Sequence, residues 1–418
     1  MSASELFLYI LLVIIVQVVA FSILAFVGRL LKKLFRPDRS TEASHPETTP
    51  PRTSTSLAPS WSGFRDFRVE RRIFESPDES ICSFYLKPVD DAPLPSYKPG
   101  QYLTFQLPVI DPASGKPKNI IRCYSLSDRP GKDHYRVSIK RVLPPGDVPD
   151  APPGLSSNFF HDAIQEGDHV FVKPPGGHFF LKDGNGPVVL IAGGIGITPM
   201  LSMLNETLEQ ESDREIWLFY GVRNSADHAM KGHLKTLDQK HPNFRLHVCY
   251  SSPGTDDREG RDYQHAGRVD IALLRQLLSL QVYDFYVCGP RPMLETIVPA
   301  LEDWGVADEN IHYEAFGPAS LFRASREEPS AGQVNVSVTF SKSGKTLTWD
   351  GSTDSLLEFA EDNGIHIDSG CRAGGCGSCQ TTIEDGDVDY LQEPDFDADP
   401  GTCLMCVSRP KQDLVLEA

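Results

Sequence analysis

"VVLIAGGIGITPML", residues 188–201, runs a short apolar segment into three glycines and then into residues with helical spacing. Strand, glycine turn and helix in that order suit a nucleotide-binding crossover. Gly193, Gly194 and Gly196 would let backbone N–H groups approach a pyrophosphate, and the helix N-terminus adds a favourable dipole. Thr198 is expected at the N-cap and Pro199 in the first helical turn. Pro199 stands where the usual dinucleotide fingerprint has its third glycine, and a tight turn without a ligand would look the same.

The same rhythm continues downstream. "IWLFYGV" (216–222), "RLHVCY" (245–250) and "DFYVCG" (284–289) are further apolar runs, separated by helical stretches at 226–239 and 292–303. Such alternation predicts a parallel sheet wound with helices. Upstream, "FRVERRIFE", "ICSFYLKPV", "QYLTFQLPV" and "HYRVSIKRVL" read as short strands between Pro, Gly and Asp turns, an antiparallel barrel or sandwich. Residues 319–333 read as a linker, and 334–418 return to strand, helix, cysteine loop and strand.

At 418 residues the chain is long enough for two or three cored domains. Its 40 Lys plus Arg against 57 Asp plus Glu argue against nucleic acid as a partner. Residues 334–418 hold 16 Asp plus Glu and 5 Lys plus Arg, an acidic surface suited to a basic partner or simply to solvation. The 9 cysteines, mostly scattered singly in apolar contexts, fit a reducing compartment.

Residues 6–27, "LFLYILLVIIVQVVAFSILAFV", carry no charge and would extend about 33 Å as a helix, which predicts a membrane span. Arg29, Lys32, Lys33 and Arg36 follow it, so a single-pass protein with a cytoplasmic body is expected. A cleaved signal peptide would want a basic start, and the start is "MSASE". Residues 28–60 add a basic flank and a tether, since 15 of the 24 residues from Pro37 to Ser60 are Pro, Ser or Thr.

Two further motifs carry chemistry. In "RCYSLSD" (122–128), Arg122 could pair with phosphate, Tyr124 could lie against a planar ring, and Ser125 could hydrogen-bond its edge. In "CRAGGCGSCQ" (371–380), four and then two residues separate Cys371, Cys376 and Cys379, with glycines that allow the loop to wrap a cluster. With a distant fourth cysteine this is the plant-type [2Fe–2S] spacing, whereas zinc ligands normally come as two close pairs. Cys403 and Cys406 compete for the fourth place.

The ordered set "PGQYLTFQL", "RCYSLSD", "VSIKRV", "GLSSNFFHD", "PPGGHFFL", "AGGIGITPML", "CGPRPML" and "HYEAFGP" resembles the ferredoxin–NADP reductase superfamily over residues 61–418. It is most similar to the reductase part of flavohaemoglobins and to oxygenase reductases with a C-terminal ferredoxin. The resemblance implies an FAD-binding β-barrel at 61–183, an NAD(P)-binding α/β domain at 184–318 and a β-grasp-like α+β ferredoxin at 334–418. It implies that Arg122 meets a flavin phosphate, Tyr124 belongs to the flavin motif, Ser125 lies near the flavin N5, and Gly154 and Ser157 contact the flavin pyrophosphate. Ser156 is expected not to be equivalent. It assigns Gly194, Gly196, Thr198 and Pro199 to the pyridine nucleotide, and Cys288, Gly289 and Pro290 to the nicotinamide. Glu314 and Phe316 fall near the flavin–nicotinamide contact. The pattern Leu404, Met405, Cys406, Val407 selects Cys406 as the fourth ligand.

The implied activity is hydride transfer from NADH, with NADPH possible, to FAD and then single electrons to the cluster. Asp256 and Asp257 follow "HVCYSS" where a 2′-phosphate-binding Arg and Tyr would be wanted, although Arg258 and Arg261 are close by. The expected partner is a membrane-associated oxygenase, hydroxylase or desaturase. A reductase of a quinone, nitrogen oxide or ferric chelate and a redox sensor are the competing readings.

Overall fold

The computed structural model of the chain describes residues 60–110, 115–144, 153–210, 213–316, 336–353, 355–370, 372, 374–391, 394, 396 and 398–418. The first of its domains is a six-stranded antiparallel sheet in the order Pro117–Ser125, Tyr102–Ile110, His169–Val172, Arg65–Phe74, Ile81–Pro88, Tyr135–Lys140. It curls until its two edges meet, where Leu126 bridges Val137 and the Ser127 N–H donates to the Arg136 carbonyl at 2.8 Å. Inward-facing Phe67, Val69, Phe84, Leu86, Leu103, Phe105, Val137 and Ile139 fill the interior. The helix Leu155–Asp162 closes one end, with Phe160 edge-on to Phe105 at 5.3 Å. Of the two architectures left open, barrel and sandwich, the curled single sheet is the one observed.

The second domain is a parallel sheet ordered His265–Ala266, Phe244–Tyr250, Ile216–Val222, Val188–Gly193, Asp284–Gly289, Ile311–Ala315. Val188–Gly193 is buried at every position, as expected of a central strand covered on both faces. Val188 and Leu190 pack with Met200, Leu201 and Leu204 of the helix Ile197–Glu209, while Val189 and Ile191 pack with Leu294, Ile297 and Leu301 of Arg291–Asp303. Alternate residues of one strand thus feed two separate cores.

In the C-terminal domain the strands run Lys345–Trp349, Val336–Phe340, Leu414–Leu416, Gln380–Asp385, Thr402–Leu404. Val336–Phe340 pairs in parallel with Leu414–Leu416, which joins the ends of the domain in one sheet. The helix Leu356–Asp362 buries Leu356, Leu357, Phe359 and Ala360 in the core of this domain.

The expected membrane span is a correction. Residues 6–27 lie outside the described residues, as do the tether up to residue 59 and the linker at 319–333. Among the described residues no helix is long and apolar enough to cross a membrane. The helices Ile197–Glu209 and Arg291–Asp303, 13 residues each, reach only about 20 Å against a hydrocarbon core of about 30 Å. The single-pass membrane placement is therefore set aside.

One backbone contact holds the nucleotide domain's turn. A Cβ on Gly196 would stand 2.1 Å from the Cys288 carbonyl oxygen and 2.9 Å from the Gly289 nitrogen, so two chain segments meet there with no room for a side chain. Gly196→Ala should cost about 3 kcal/mol through overpacking against backbone that cannot move aside. Gly186→Ala, where a Cβ meets nothing within 4 Å, should leave stability unchanged. Scanning calorimetry of the two variants checks this, and equal melting temperatures would contradict it.

Candidate functional site

A cleft of about 920 Å³ opens where the three domains meet, and its wall includes Arg122, Tyr124 and Ser125 from the barrel, Thr198 and Glu314 from the nucleotide domain, and Gly370 from the C-terminal domain. Arg122, Tyr124 and Ser125 lie at the end of Pro117–Ser125, which pairs residue for residue with Tyr102–Ile110. Tyr124 is packed edge-on between Phe105 and Phe160, and its hydroxyl bonds the Ser156 hydroxyl at 2.6 Å. Burial pushes the Tyr124 phenol up to about 12, the Ser156 hydrogen bond opposing, so it stays protonated as a neutral donor or acceptor.

Gly154 and Ser157 also line the cleft, at the start of the helix Leu155–Asp162. The Ser157 hydroxyl donates to the Gly154 carbonyl at 3.1 Å and accepts from the Val142 N–H at 3.2 Å, so it shapes the turn while Ser156 faces the tyrosine. The first N–H groups of that helix have no intrahelical acceptor and suit an anion.

On the opposite wall, Thr198 is not the N-cap that was expected. A 3₁₀ turn, Gly194–Gly196, intervenes; the helix begins at Ile197, and the Thr198 hydroxyl donates back to the Ile195 carbonyl at 3.0 Å. Pro199 is buried one position further in. Phe316 borders the cleft and is 41% exposed. Gly194, Gly196, Pro199, Cys288, Gly289 and Pro290 are not among the residues of the wall; Gly196, Cys288 and Gly289 form the backbone contact behind it, and Pro290 leads into the helix Arg291–Asp303. Cys288 pairs in register with Glu314. Burial, and secondarily the Glu314 carboxylate, push the Cys288 thiol well up, which removes it as a nucleophile.

The cysteine loop abuts this cleft. Cys376, Cys379, Cys403 and Cys406 are buried; Cys371 lies outside the described residues. The Met405 N–H donates to the Cys379 carbonyl at 3.2 Å, which brings the segment holding Cys406 beside the loop. Burial raises the Tyr390 phenol, whose oxygen accepts from the Leu404 N–H at 3.4 Å, two residues before Cys406. Gly377 has φ +75°, and a Cβ there would strike the Phe396 ring at 2.5 Å, so the loop can close only with glycine. Arg372, also at positive φ, pairs through both ends of its guanidinium with Glu361, tying the loop to the helix Leu356–Asp362. A tight glycine cradle beside buried thiols fits a cluster spread over two irons.

Sequence reasoning missed the seam between the domains. Arg122 Nη1 donates to the Ser369 carbonyl at 3.2 Å, and Lys173 Nζ donates to the Cys376 carbonyl at 2.8 Å. Lys118 lies 3.6 Å from Asp368, and a Cβ on Gly370 would come within 3.0 Å of Ile121. These contacts join residues 203 to 250 positions apart, and no local motif announces them.

Comparison with known proteins gives three consecutive family matches: oxidoreductase FAD-binding domain at residues 66–181, oxidoreductase NAD-binding domain at 190–298, and 2Fe-2S iron-sulfur cluster binding domain at 338–411. A flavohemoprotein of Bacillus thuringiensis subsp. konkukian (strain 97-27) is 42% identical over 261 residues, 62% of each chain. The chain thus spans less than two thirds of the length of that relative. The flavohem-like FAD/NAD binding domain of nitric oxide dioxygenase from Vibrio cholerae superposes with a TM-score of 0.53 at 31% identity, covering 61% of this chain and 100% of that one. Phthalate dioxygenase reductase, described as a modular structure for electron transfer from pyridine nucleotides to [2Fe-2S], has a TM-score of 0.50 at 26% identity over 85% of this chain and 98% of its own. Cleft, glycine cradle and domain order agree: the chain is an oxidoreductase of the ferredoxin–NADP reductase superfamily, with FAD- and NAD-binding domains followed by a C-terminal [2Fe–2S] ferredoxin domain.

Proposed function

We propose that the chain is an electron-transfer reductase that takes hydride from NADH and delivers electrons one at a time to a separate oxygenase-type protein. The observation that carries this is the shared seam: Gly370, just before the cysteine loop, forms part of the wall of the flavin-motif cleft. When bound, FAD accepts the hydride and the cluster carries single electrons onward. The residues of the chain bind, orient and shield.

Arg122 holds a flavin phosphate with the donors not directed at Ser369, since a guanidinium has five. Tyr124, wedged in place by Phe105 and Phe160, offers a rigid surface to the flavin. The start of the helix at Gly154 and Ser157 receives the pyrophosphate, Ser125 donates toward N5, and Glu314 and Phe316 border the place where nicotinamide and flavin meet. Gly194, Gly196, Thr198 and Pro199 admit the pyridine nucleotide, and Cys288, Gly289 and Pro290 shape the nicotinamide side by packing. Cys371, Cys376, Cys379 and Cys406 hold the cluster. Cys406 is preferred to Cys403 on the pattern Leu404, Met405, Cys406, Val407, since both thiols are buried in the domain core. The oxygenase partner is inferred from phthalate dioxygenase reductase, which shares this domain set.

Cys406→Ser should abolish the visible absorbance of the cluster and the reduction of a one-electron protein acceptor while sparing NADH–ferricyanide activity, and Cys403→Ser should leave all three. The reverse pattern would exchange the two cysteines. Loss of the cluster with full delivery to the protein acceptor would refute the route itself.

Ser125→Ala should slow flavin reduction by NADH about a hundredfold, on the order of 2.7 kcal/mol, the scale of losing one donor to developing charge. Stopped-flow absorbance checks it at unchanged flavin and iron content. An unaltered rate would remove Ser125 from the mechanism.

A further inference from the structure

Lys173 follows the barrel strand His169–Val172 and precedes Pro174 and Pro175. Its backbone N–H donates to the Thr104 carbonyl at 2.8 Å, so the root of its side chain belongs to the rigid barrel. The other end reaches into the ferredoxin domain. Its ammonium stands 2.8 Å from the carbonyl of Cys376, with the Phe64 ring centroid at 5.4 Å and the Phe396 ring centroid at 5.1 Å. The same Phe396 ring packs on Gly377, the next residue of the loop. A cation enclosed between two rings, with one carbonyl to bond, is held more firmly than an exposed ion pair. The neighbouring Lys118–Asp368 pair is such an exposed pair, its carboxylate side chain 76% exposed, and adds little.

We infer that Lys173 is a positioning residue for electron transfer, tying the flavin barrel to the backbone of a cluster ligand and raising the reduction potential of the cluster by its charge. The inference rests on Cys376 being a ligand, as proposed above. Four thiolates leave a [2Fe–2S] centre anionic, and reduction adds one more negative charge. A fixed cation nearby stabilises the reduced form more than the oxidised form. Charge and hydrogen bonding around the ligands set such potentials. The tie therefore places the acceptor beside the flavin cleft and also makes it easier to reduce from there.

The test is an EPR-monitored redox titration of the full chain, wild type against Lys173→Gln, Lys173→Met and Lys173→Arg. Both neutral variants should show the cluster signal only at lower potential, with the flavin potential unmoved, and Lys173→Arg should stay near wild type. Loss of the cluster from both neutral variants with retention in Lys173→Arg also supports the tie. An unchanged cluster potential in the neutral variants, an equal shift in Lys173→Arg, or cluster loss in all three overturns it. Absence of any [2Fe–2S] signal from reduced, iron-loaded wild type would instead overturn the proposed function.

Discussion

Lys173 on the Cys376 carbonyl and Arg122 on the Ser369 carbonyl hold a cysteine loop against the flavin-motif barrel. Most of what the molecule can do depends on that seam, because a reductase of this kind must present a one-electron carrier to a two-electron one at fixed distance and orientation. Both donors are cations and both acceptors are backbone carbonyls. Charge-assisted bonds are directional, and a carbonyl acceptor places no demand on the side chain at that position. Arg122 stands on both sides of the matter, at the seam and in the cleft wall, so loading of the cleft and docking of the loop share one side chain.

The nucleotide side obeys a different constraint, space rather than charge. Gly196 lets the turn after Val188–Gly193 lie on the Cys288–Gly289 backbone, and the thiol of Cys288 is consequently buried beside Glu314. Desolvation keeps that thiol neutral, so a residue that might have been read as reactive serves as packing under the cleft. The same pairing carries Glu314 and Phe316 toward the cleft from the last strand of the parallel sheet. One antiparallel and one parallel sheet thus deliver their chemistry to a single opening.

Periodicity made the two larger domains legible. "IWLFYGV" and "DFYVCG" are the observed strands Ile216–Val222 and Asp284–Gly289, and the glycine run does join a buried strand to a helix. Thr198 misled because the 3₁₀ turn Gly194–Gly196 runs straight into a helix that starts at Ile197, so Thr198 is already inside it and its hydroxyl bonds the Ile195 carbonyl. Ser156 and Ser157 are neighbours at one helix start, and only the position of the Tyr124 ring tells them apart. The strand His169–Val172 is four residues long with Phe171 exposed, too short for alternation to stand out, yet it pairs with two distant strands. Lys173 and Gly370 carry no sequence signal at all, because their significance arises from contacts across domains. The apolar run at 6–27 lies outside the described residues, and among those no helix is long and apolar enough to cross a membrane.

The central claim is that electrons cross from flavin to cluster within one chain, over the seam. Rapid mixing of the anaerobic, fully loaded chain with NADH, followed by stopped-flow absorbance and freeze-quench EPR at several protein concentrations, tests it most directly. The account predicts that flavin bleaching comes first and that the reduced-cluster signal then grows at a rate independent of protein concentration. Cluster reduction that accelerates in proportion to protein concentration, or a cluster that stays oxidised beside reduced flavin, would contradict it.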